Sequence, residues 1–139
     1  MSSHKRIPFS FDAHPVLIPQ STLLEVRWLC HTDKRCYARE YKTANPECAP
    51  ALLAQAGQIA SKGHVGKVPE NGHQLKGRYK DLYVLKPGGH RFLGFRFQST
   101  FLLCSGCRKD AKQQDRDYEF ALELRTAFLK SASSSEKNK

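Results

Sequence analysis

Residues 90–104, HRFLGFRFQSTFLLC, carry the clearest strand pattern in the chain. From residue 75 onwards apolar residues recur with a period of two, so His90–Phe97 is typical of a β-strand. Gln98-Ser99-Thr100 forms a short turn, and the apolar run Phe101–Cys104 predicts the next strand. Strands joined by so short a turn are antiparallel neighbours. The stretch therefore predicts an antiparallel hairpin.

A further strand precedes this hairpin. Arg78–Leu85 continues the period of two, and Pro87-Gly88-Gly89 closes it with a turn. On this strand Arg78 and Lys80 would share one face. Residues 78–104 together predict a three-stranded antiparallel meander.

A strand and a helix are predicted on the N-terminal side. Leu24–Trp28 alternates apolar and polar residues, which indicates a strand. Thr32 or Asp33 could cap a helix that runs to about Lys42. Asn45-Pro46 would end it, because proline disfavours helical backbone in the residue before it.

Two more helices are predicted. Pro50 suits the first position of a helix that ends at Gly63 or Gly66. The last helix spans about Asp115–Lys130. The apolar faces of the two helices consist of Leu52, Leu53, Ala56, Ile59 and Ala60 in the first, and Phe120, Ala121, Leu124, Ala127 and Phe128 in the second.

This order of elements predicts an α+β domain over residues 23–130. Two N-terminal helices and a C-terminal helix would pack on one face of a small antiparallel sheet. Residues 1–22, which contain three prolines, are expected to form an extended arm. Residues 131–139, rich in serine and lysine, are expected to form a disordered tail.

The charge balance points to a polyanionic partner. The chain of 139 residues carries 23 Lys and Arg against 13 Asp and Glu, a formal net charge of +10. Residues 76–112 hold nine basic and two acidic residues, which is net +7. A sheet face left free by the helices and lined with these cations would suit a phosphate backbone. A membrane partner is not expected, because no amphipathic helix carries the excess and no segment is long enough to span a bilayer.

The five cysteines are expected to be reduced thiols in the cytoplasm, because their number is odd and no signal peptide is apparent. Cys104-Ser-Gly-Cys107 could supply two zinc ligands. Cys30, His31 and Cys36 could complete the four if the end of the first strand approached the meander. Buried or incidental thiols are the simpler interpretation, so no metal and no cofactor are expected.

Residues 76–83 (KGRYKDLY), 90–93 (HRFL) and 101–112 (FLLCSGCRKDAK) carry a distinctive order of features. An arginine-bearing strand is followed by an apolar strand and then by a glycine with a basic pair. Lys112-Gln113 and Glu119-Phe120-Ala121 continue the pattern. These segments resemble the RelE/ParE superfamily of type II toxin–antitoxin systems, in particular its phage-derived, HigB-like branch. The resemblance spans roughly residues 23–130.

The resemblance implies a toxin that inhibits translation. Members of this branch cut mRNA in the ribosomal decoding site without a metal, and the attacking group is the 2′-hydroxyl of the RNA itself. The implied partners are mRNA on the ribosome, ribosomal RNA of the small subunit and a helix-turn-helix antitoxin protein.

Such a reaction needs a base, an acid and a stabiliser of the charged phosphorane. Arg91 and Arg108 suit the stabilising role, since guanidinium binds two phosphate oxygens at once. Lys80 and Lys109 are candidate bases, because neighbouring cations lower the pKa of a lysine. His90 could serve as base or acid, although a single histidine beside a turn is more often a solvated surface residue.

Other residues are candidates for binding RNA without taking part in the chemistry. Tyr79 and Tyr83 could stack on a base, although a strand tyrosine is more often half-buried in the core. The cationic candidates are Lys76, Arg78, Lys86, Arg96 and Lys112.

Two alternatives to a ribonuclease stay open at this point. A toxin that inhibits DNA gyrase could use the same fold as a binder rather than an enzyme. A zinc-stabilised module could bind nucleic acid without catalysis. Metal analysis would discriminate the zinc module from both toxins.

Overall fold

The computed structural model describes residues 9–15, 25–31, 35–62 and 72–137. Its strands are β1 (Phe9–Pro15), β2 (Glu25–His31), β3 (Gly72–Gln74), β4 (Tyr83–Leu85), β5 (His90–Phe97) and β6 (Thr100–Arg108). Its α-helices are α1 (Tyr37–Ala44), α2 (Ala49–Lys62) and α3 (Gln114–Lys137). Short 3-10 helices cover Pro46–Cys48 and Gly77–Tyr79. The predicted α+β class is therefore confirmed.

The described strands form one sheet in the order β1-β2-β6-β5-β4-β3. Neighbours β4, β5 and β6 are antiparallel, which confirms the predicted meander. Strand β2 pairs with β6 in parallel, Val26 opposite Phe101. The prediction of an antiparallel sheet was therefore wrong. The long connection between β2 and β6, which contains α1 and α2, allows the parallel pairing that no short turn could make.

The helices cover both faces of the sheet, so the prediction of a single covered face was wrong. On β6, Phe101 and Leu103 join a buried cluster with α2, here called the α2-side core. Leu102 joins a second cluster with α3, the α3-side core. Successive strand side chains point to opposite faces, so the apolar run in β6 supplies both cores. The predicted free sheet face lined with Arg and Lys does not exist, because α3 lies on it.

Several predicted boundaries move. The predicted strand Arg78–Leu85 is a 3-10 helix at Gly77–Tyr79 followed by the short β4, so Arg78 and Lys80 do not share a strand face. Helix α1 begins at Tyr37. The predicted caps Thr32 and Asp33 lie outside the described residues.

The chain ends also differ from expectation. Helix α3 continues to Lys137, so most of the predicted tail is helical. Part of the predicted arm forms β1, which pairs antiparallel with β2. Residues 1–8 and 16–24 of that region lie outside the description.

The predicted helix faces are largely correct, with two exceptions. Leu52, Ala56, Ile59 and Ala60 of α2 are buried, as are Ala121, Leu124 and Phe128 of α3. Ala127 is half-buried, and the two exceptions are Leu53, which is 43% exposed, and Phe120, which is 38% exposed.

The cysteines divide into two groups. Cys30 at the end of β2 and Cys36 just before α1 are joined by a disulfide, so the prediction of reduced thiols was wrong for this pair. Cys48, Cys104 and Cys107 are free. Cys30 belongs to the α2-side core and Cys104 to the α3-side core. The structure therefore does not bring together the zinc ligands that the sequence suggested. The described residues contain no cluster of three potential metal ligands.

None of the described helices is both long and apolar enough to span a bilayer.

Candidate functional site

The candidate site lies at the end of the sheet where β5 begins and β6 stops. Here His90 pairs with Arg108 and Arg91 pairs with Cys107. The pairing of β2 with β6 stops at Leu103, and α1 packs against β6. Gly106 permits this close approach, because a Cβ there would lie 2.8 Å from the Tyr41 side chain.

His90 is the centre of a hydrogen-bonded chain. Its Nδ1 lies 2.6 Å from the Tyr41 hydroxyl, and its Nε2 lies 3.0 Å from Oε2 of Glu47. A carboxylate only accepts, so in the neutral imidazole Nε2 donates to Glu47 while Nδ1 accepts from Tyr41. The His90 side chain is only 7% exposed. The interpretation of His90 as a solvated surface residue was therefore wrong.

The chain runs from a half-buried hydroxyl to an exposed carboxylate. Burial raises the pKa of Tyr41, and the nearby Arg108 guanidinium opposes this effect. The Tyr41 ring also packs edge-on against Phe92, which fixes its position. The Glu47 side chain is 59% exposed. Glu47 is thus the member of the three that meets solvent most fully.

Arg91 lies on the other face of β5 from His90. Its Nη1 donates to the His90 carbonyl at 3.0 Å. Its cross-strand partner Cys107 is hydrogen-bonded to Asp117 of α3. Burial, with the Asp117 carboxylate adding to it, raises the pKa of the Cys107 thiol to about 12. Cys107 is therefore predominantly the neutral thiol at neutral pH, which is a poor nucleophile.

The structure brings together four of the five predicted catalytic residues. Arg91, Arg108 and Lys109 line one narrow crevice, here called the cationic edge, together with the carboxylates Asp110 and Asp117 and with Tyr118. His90 is the cross-strand partner of Arg108. Lys80 is separate from this group. It is exposed and follows the 3-10 helix Gly77–Tyr79, before β4 begins.

Two predicted RNA ligands instead hold α3 in place. Arg78 Nη2 lies 2.7 Å from Oε1 of Glu119, and the Tyr79 hydroxyl donates to Oε2 of Glu119 at 2.8 Å. The Tyr79 ring also contacts that of Tyr118, at 5.3 Å between centroids. Glu119 thereby engages the groups that Arg78 and Tyr79 would offer to a nucleic acid.

The other RNA-binding candidates are scattered. Tyr83 packs half-buried against the α2-side core and Phe101, as the simpler interpretation expected. Arg96 donates to the Gln98 carbonyl near the opposite end of β5, roughly 16 Å along the strand from Arg91. Lys76 and Lys112 are exposed, and Lys86 is half-buried next to β4. The structure does not gather these residues at the cationic edge.

Three residues of the site were not predicted: Tyr41, Glu47 and Asp117. Tyr41 follows Tyr37 by one helical turn in α1, but nothing in the local sequence links it to His90, 49 residues later. Glu47 is a single acid in a 3-10 turn. Asp117, in the first turn of α3, has the common role of favouring a helix N-terminus.

Neither a family model nor a curated protein matches this chain.

Proposed function

We propose that this protein is an endoribonuclease toxin that cleaves mRNA on the ribosome, without a metal, by attack of a 2′-hydroxyl on the adjacent phosphate. One observation carries the proposal. The Tyr41–His90–Glu47 chain lies at the same end of the sheet as the cationic edge. Groups that move protons therefore stand beside groups that bind phosphate, which is what the reaction requires.

The order of the elements along the chain supports this proposal. The resemblance to the RelE/ParE superfamily implies a strand, two helices, a meander and a final helix. The described elements from β2 to α3 follow this order, with the short β3 added before the meander. Fold alone does not separate a ribonuclease from a gyrase inhibitor, so the argument rests on the site.

The cationic edge takes the phosphate. Arg91 and Arg108 start from opposite faces of the β5–β6 pair and both line the crevice with Lys109. Guanidinium groups stay charged at all relevant pH values and can bind two phosphate oxygens. They stabilise the extra negative charge of the phosphorane as it forms.

The hydrogen-bonded chain moves the protons. The exposed Glu47 carboxylate takes the proton from the 2′-hydroxyl as the bond between O2′ and phosphorus forms. The bond between phosphorus and O5′ breaks, and the Tyr41 hydroxyl, beside Arg108, turns from His90 Nδ1 to O5′ and donates its proton there. The products are a 2′,3′-cyclic phosphate and a 5′-hydroxyl end. His90 is a positioning residue, since both its ring nitrogens are engaged and its side chain is buried.

The ribosome supplies alignment. A site without a strong dedicated base gains from a substrate already held with its 2′-oxygen in line with the phosphate. Such alignment alone can lower a barrier by roughly 7–11 kcal/mol. We therefore expect clear cleavage in translating extracts and weak or no cleavage of naked mRNA.

Primer extension on one message, with and without ribosomes, tests the proposal. Cutting that requires ribosomes is the expected result. Equal cutting of free RNA would indicate a self-sufficient ribonuclease. An intact message together with blocked DNA supercoiling would favour the gyrase reading instead.

Matched variants test the assignment of the site. Arg91→Ala should abolish growth arrest and mRNA cleavage with folding retained, whereas Arg96→Ala, at the far end of the same strand, should retain both. Tyr41→Phe should lower the cleavage rate on the order of 100-fold or more by removing a proton donor. Its control is Tyr83→Phe, which removes a hydroxyl from a tyrosine packed on the core. Loss of cleavage in both members of either pair would contradict the assignment.

A further inference from the structure

A second cavity of about 320 Å³ opens between α1 and α3, next to the cationic edge. Tyr37, Glu40 and Tyr41 of α1 form one wall, and Asp117 and Phe120 of α3 form the other. Residues 105–107 of β6 form its floor. We call it the α1–α3 cleft. Its volume lies within the range of small-molecule sites in proteins.

The α1–α3 cleft is acidic and aromatic, whereas the protein as a whole carries +10. Its lining contains two carboxylates and three aromatic rings, and no Lys or Arg among the residues that the structure describes. The lining offers a phosphate group two carboxylates and no cation, so it does not suit phosphate. A ligand suited to this lining has a flat ring to contact the aromatic residues and hydrogen-bond donors for the carboxylates.

The two carboxylates differ in availability. The guanidinium of Arg35 holds Glu40, with Nη2 at 2.9 Å from Oε1. Asp117 accepts a hydrogen bond from the Cys107 thiol and makes no ion pair with another described residue. A carboxylate has about four acceptor positions, so Asp117 keeps capacity for a ligand.

Aromatic contact area is also available. Phe120 is 38% exposed, one of the two large apolar side chains exposed among the described residues. Its ring lies edge-on to Tyr37, at 5.2 Å between centroids. Single-stranded RNA is commonly recognised by stacking of splayed bases on such rings.

The cleft and the cationic edge form one continuous surface, because Cys107 and Asp117 line both. A nucleotide could place its phosphate against Arg108 or Lys109 and its base in the cleft. A lone cationic side chain of a protein would fit the carboxylates but would have no use for the neighbouring cations. The adjacent charges therefore favour a nucleotide.

We propose that the α1–α3 cleft is a nucleobase subsite that prefers guanine, with Asp117 as the residue that reads the base. Guanine presents its N1–H and N2–H₂ donors side by side, matching the two oxygens of one carboxylate. Uracil presents a single N3–H between two carbonyl oxygens, which the carboxylate repels. This inference rests on the proposed ribonuclease function for its biological meaning, but its binding test does not depend on cleavage.

Calorimetric titration of the full chain with guanosine 3′-monophosphate and uridine 3′-monophosphate tests the subsite. The parent should bind the guanosine nucleotide at least roughly tenfold more tightly, as expected for one good two-point contact to a base. Asp117→Asn should bring the two affinities to within about twofold, because the amide cannot accept both donors. Asp115→Asn makes the same charge change in the same helical turn but lies outside the cleft, so it should keep the preference.

A second variant tests the aromatic part of the subsite without changing Asp117. Phe120→Ala removes an exposed ring and should weaken both nucleotides to a similar extent, since stacking tolerates any base. Equal affinity of the parent for both nucleotides, or a guanine preference that survives Asp117→Asn, would overturn the subsite. A guanine preference with an intact message on ribosomes would sustain the subsite and refute the ribonuclease. Ribosome-dependent cutting without a base preference in binding would support the ribonuclease and refute the subsite.

Discussion

At the scale of single residues, the site depends on a glycine as much as on its ionisable groups. Gly106 lies on β6 where α1 crosses it, and three side-chain atoms of Tyr41 lie 2.8 Å from the position of a Cβ there. The contact is with the base of the tyrosine, next to the helix backbone, so it does not yield by rotation of a flexible end. Any larger residue must push α1, and with it Tyr41, away from His90.

Gly106→Ala is therefore expected to destabilise the fold by roughly 1–3 kcal/mol, as overpacking in a close-packed interior does. Cleavage should fall as well, because Tyr41 moves off the His90 ring. Urea unfolding and primer extension measure the two effects. Gly89→Ala is the control, since a Cβ there meets nothing within 4 Å. Equal losses in both variants would show that the close approach of α1 is not the cause.

At the scale of elements, a polar contact joins the first turns of α3 to the 3-10 helix Gly77–Tyr79. Arg78 and Tyr79 both bind Glu119, and the hydrogen bond from Arg78 is the main cause that lowers the pKa of Glu119 to about 2. Further along, Phe128 packs on Phe95 and Phe97 of β5. The apolar part of α3 is thus held by packing, and the part beside the cleft by an exposed ion pair.

Because of this ion pair, we expect the stability of the fold to decrease at low pH. The carboxylate ionises at a pKa of about 2 in the folded protein and near 4.5 in the unfolded chain, so it stabilises the fold above pH 4.5. That contribution should be lost progressively as the pH falls from 4.5 to about 2. In the Glu119→Gln variant, the urea-unfolding midpoint should depend less on pH between 4.5 and about 2. Glu123 is an exposed glutamate of the same helix, so the Glu123→Gln variant should show the same pH dependence of the midpoint as the parent.

At the scale of the whole protein, the basic residues behind the net charge of +10 are spread over several surfaces. Among the described residues, the cations that line the cationic edge are Arg91, Arg108 and Lys109. Arg78 instead binds Glu119, and Arg96 lies near the far end of β5. Long-range attraction draws on every cation, but phosphate contacts that release counterions need cations in reach of one backbone. The cationic edge should therefore dominate the salt dependence of ribosome binding.

Lys109→Gln is expected to weaken ribosome binding and to reduce the slope of log affinity against log salt by about one. Lys62→Gln removes an equal charge at the exposed end of α2 and should leave the slope unchanged. Co-sedimentation with ribosomes at a series of salt concentrations measures both. Identical slopes for the two variants would mean that net charge, rather than the cationic edge, governs binding.

The local parts of this architecture follow from the amino-acid sequence alone. Gly88-Gly89 and Gln98-Ser99 each leave only a short turn, and a short turn forces its flanking strands to pair antiparallel, so β4, β5 and β6 follow from neighbouring residues alone. The apolar periodicity of α2 and α3 likewise fixed most of their buried faces. The basic segment that contains the cationic edge was visible as a charge excess.

The contacts between distant segments could not be predicted in this way, because they depend on the folded protein. The parallel pairing of β2 with β6 has no turn to dictate it, and the apolar run in β6 suited either face of the sheet, so the position of α3 depended on packing. His90 looked like a turn residue because its partners Tyr41 and Glu47 come from a separate part of the chain. Turns and helix faces depend on residues a few positions apart, so the spacing of residue types along the chain predicts them. A contact between remote residues forms only when the sheet has brought their elements together.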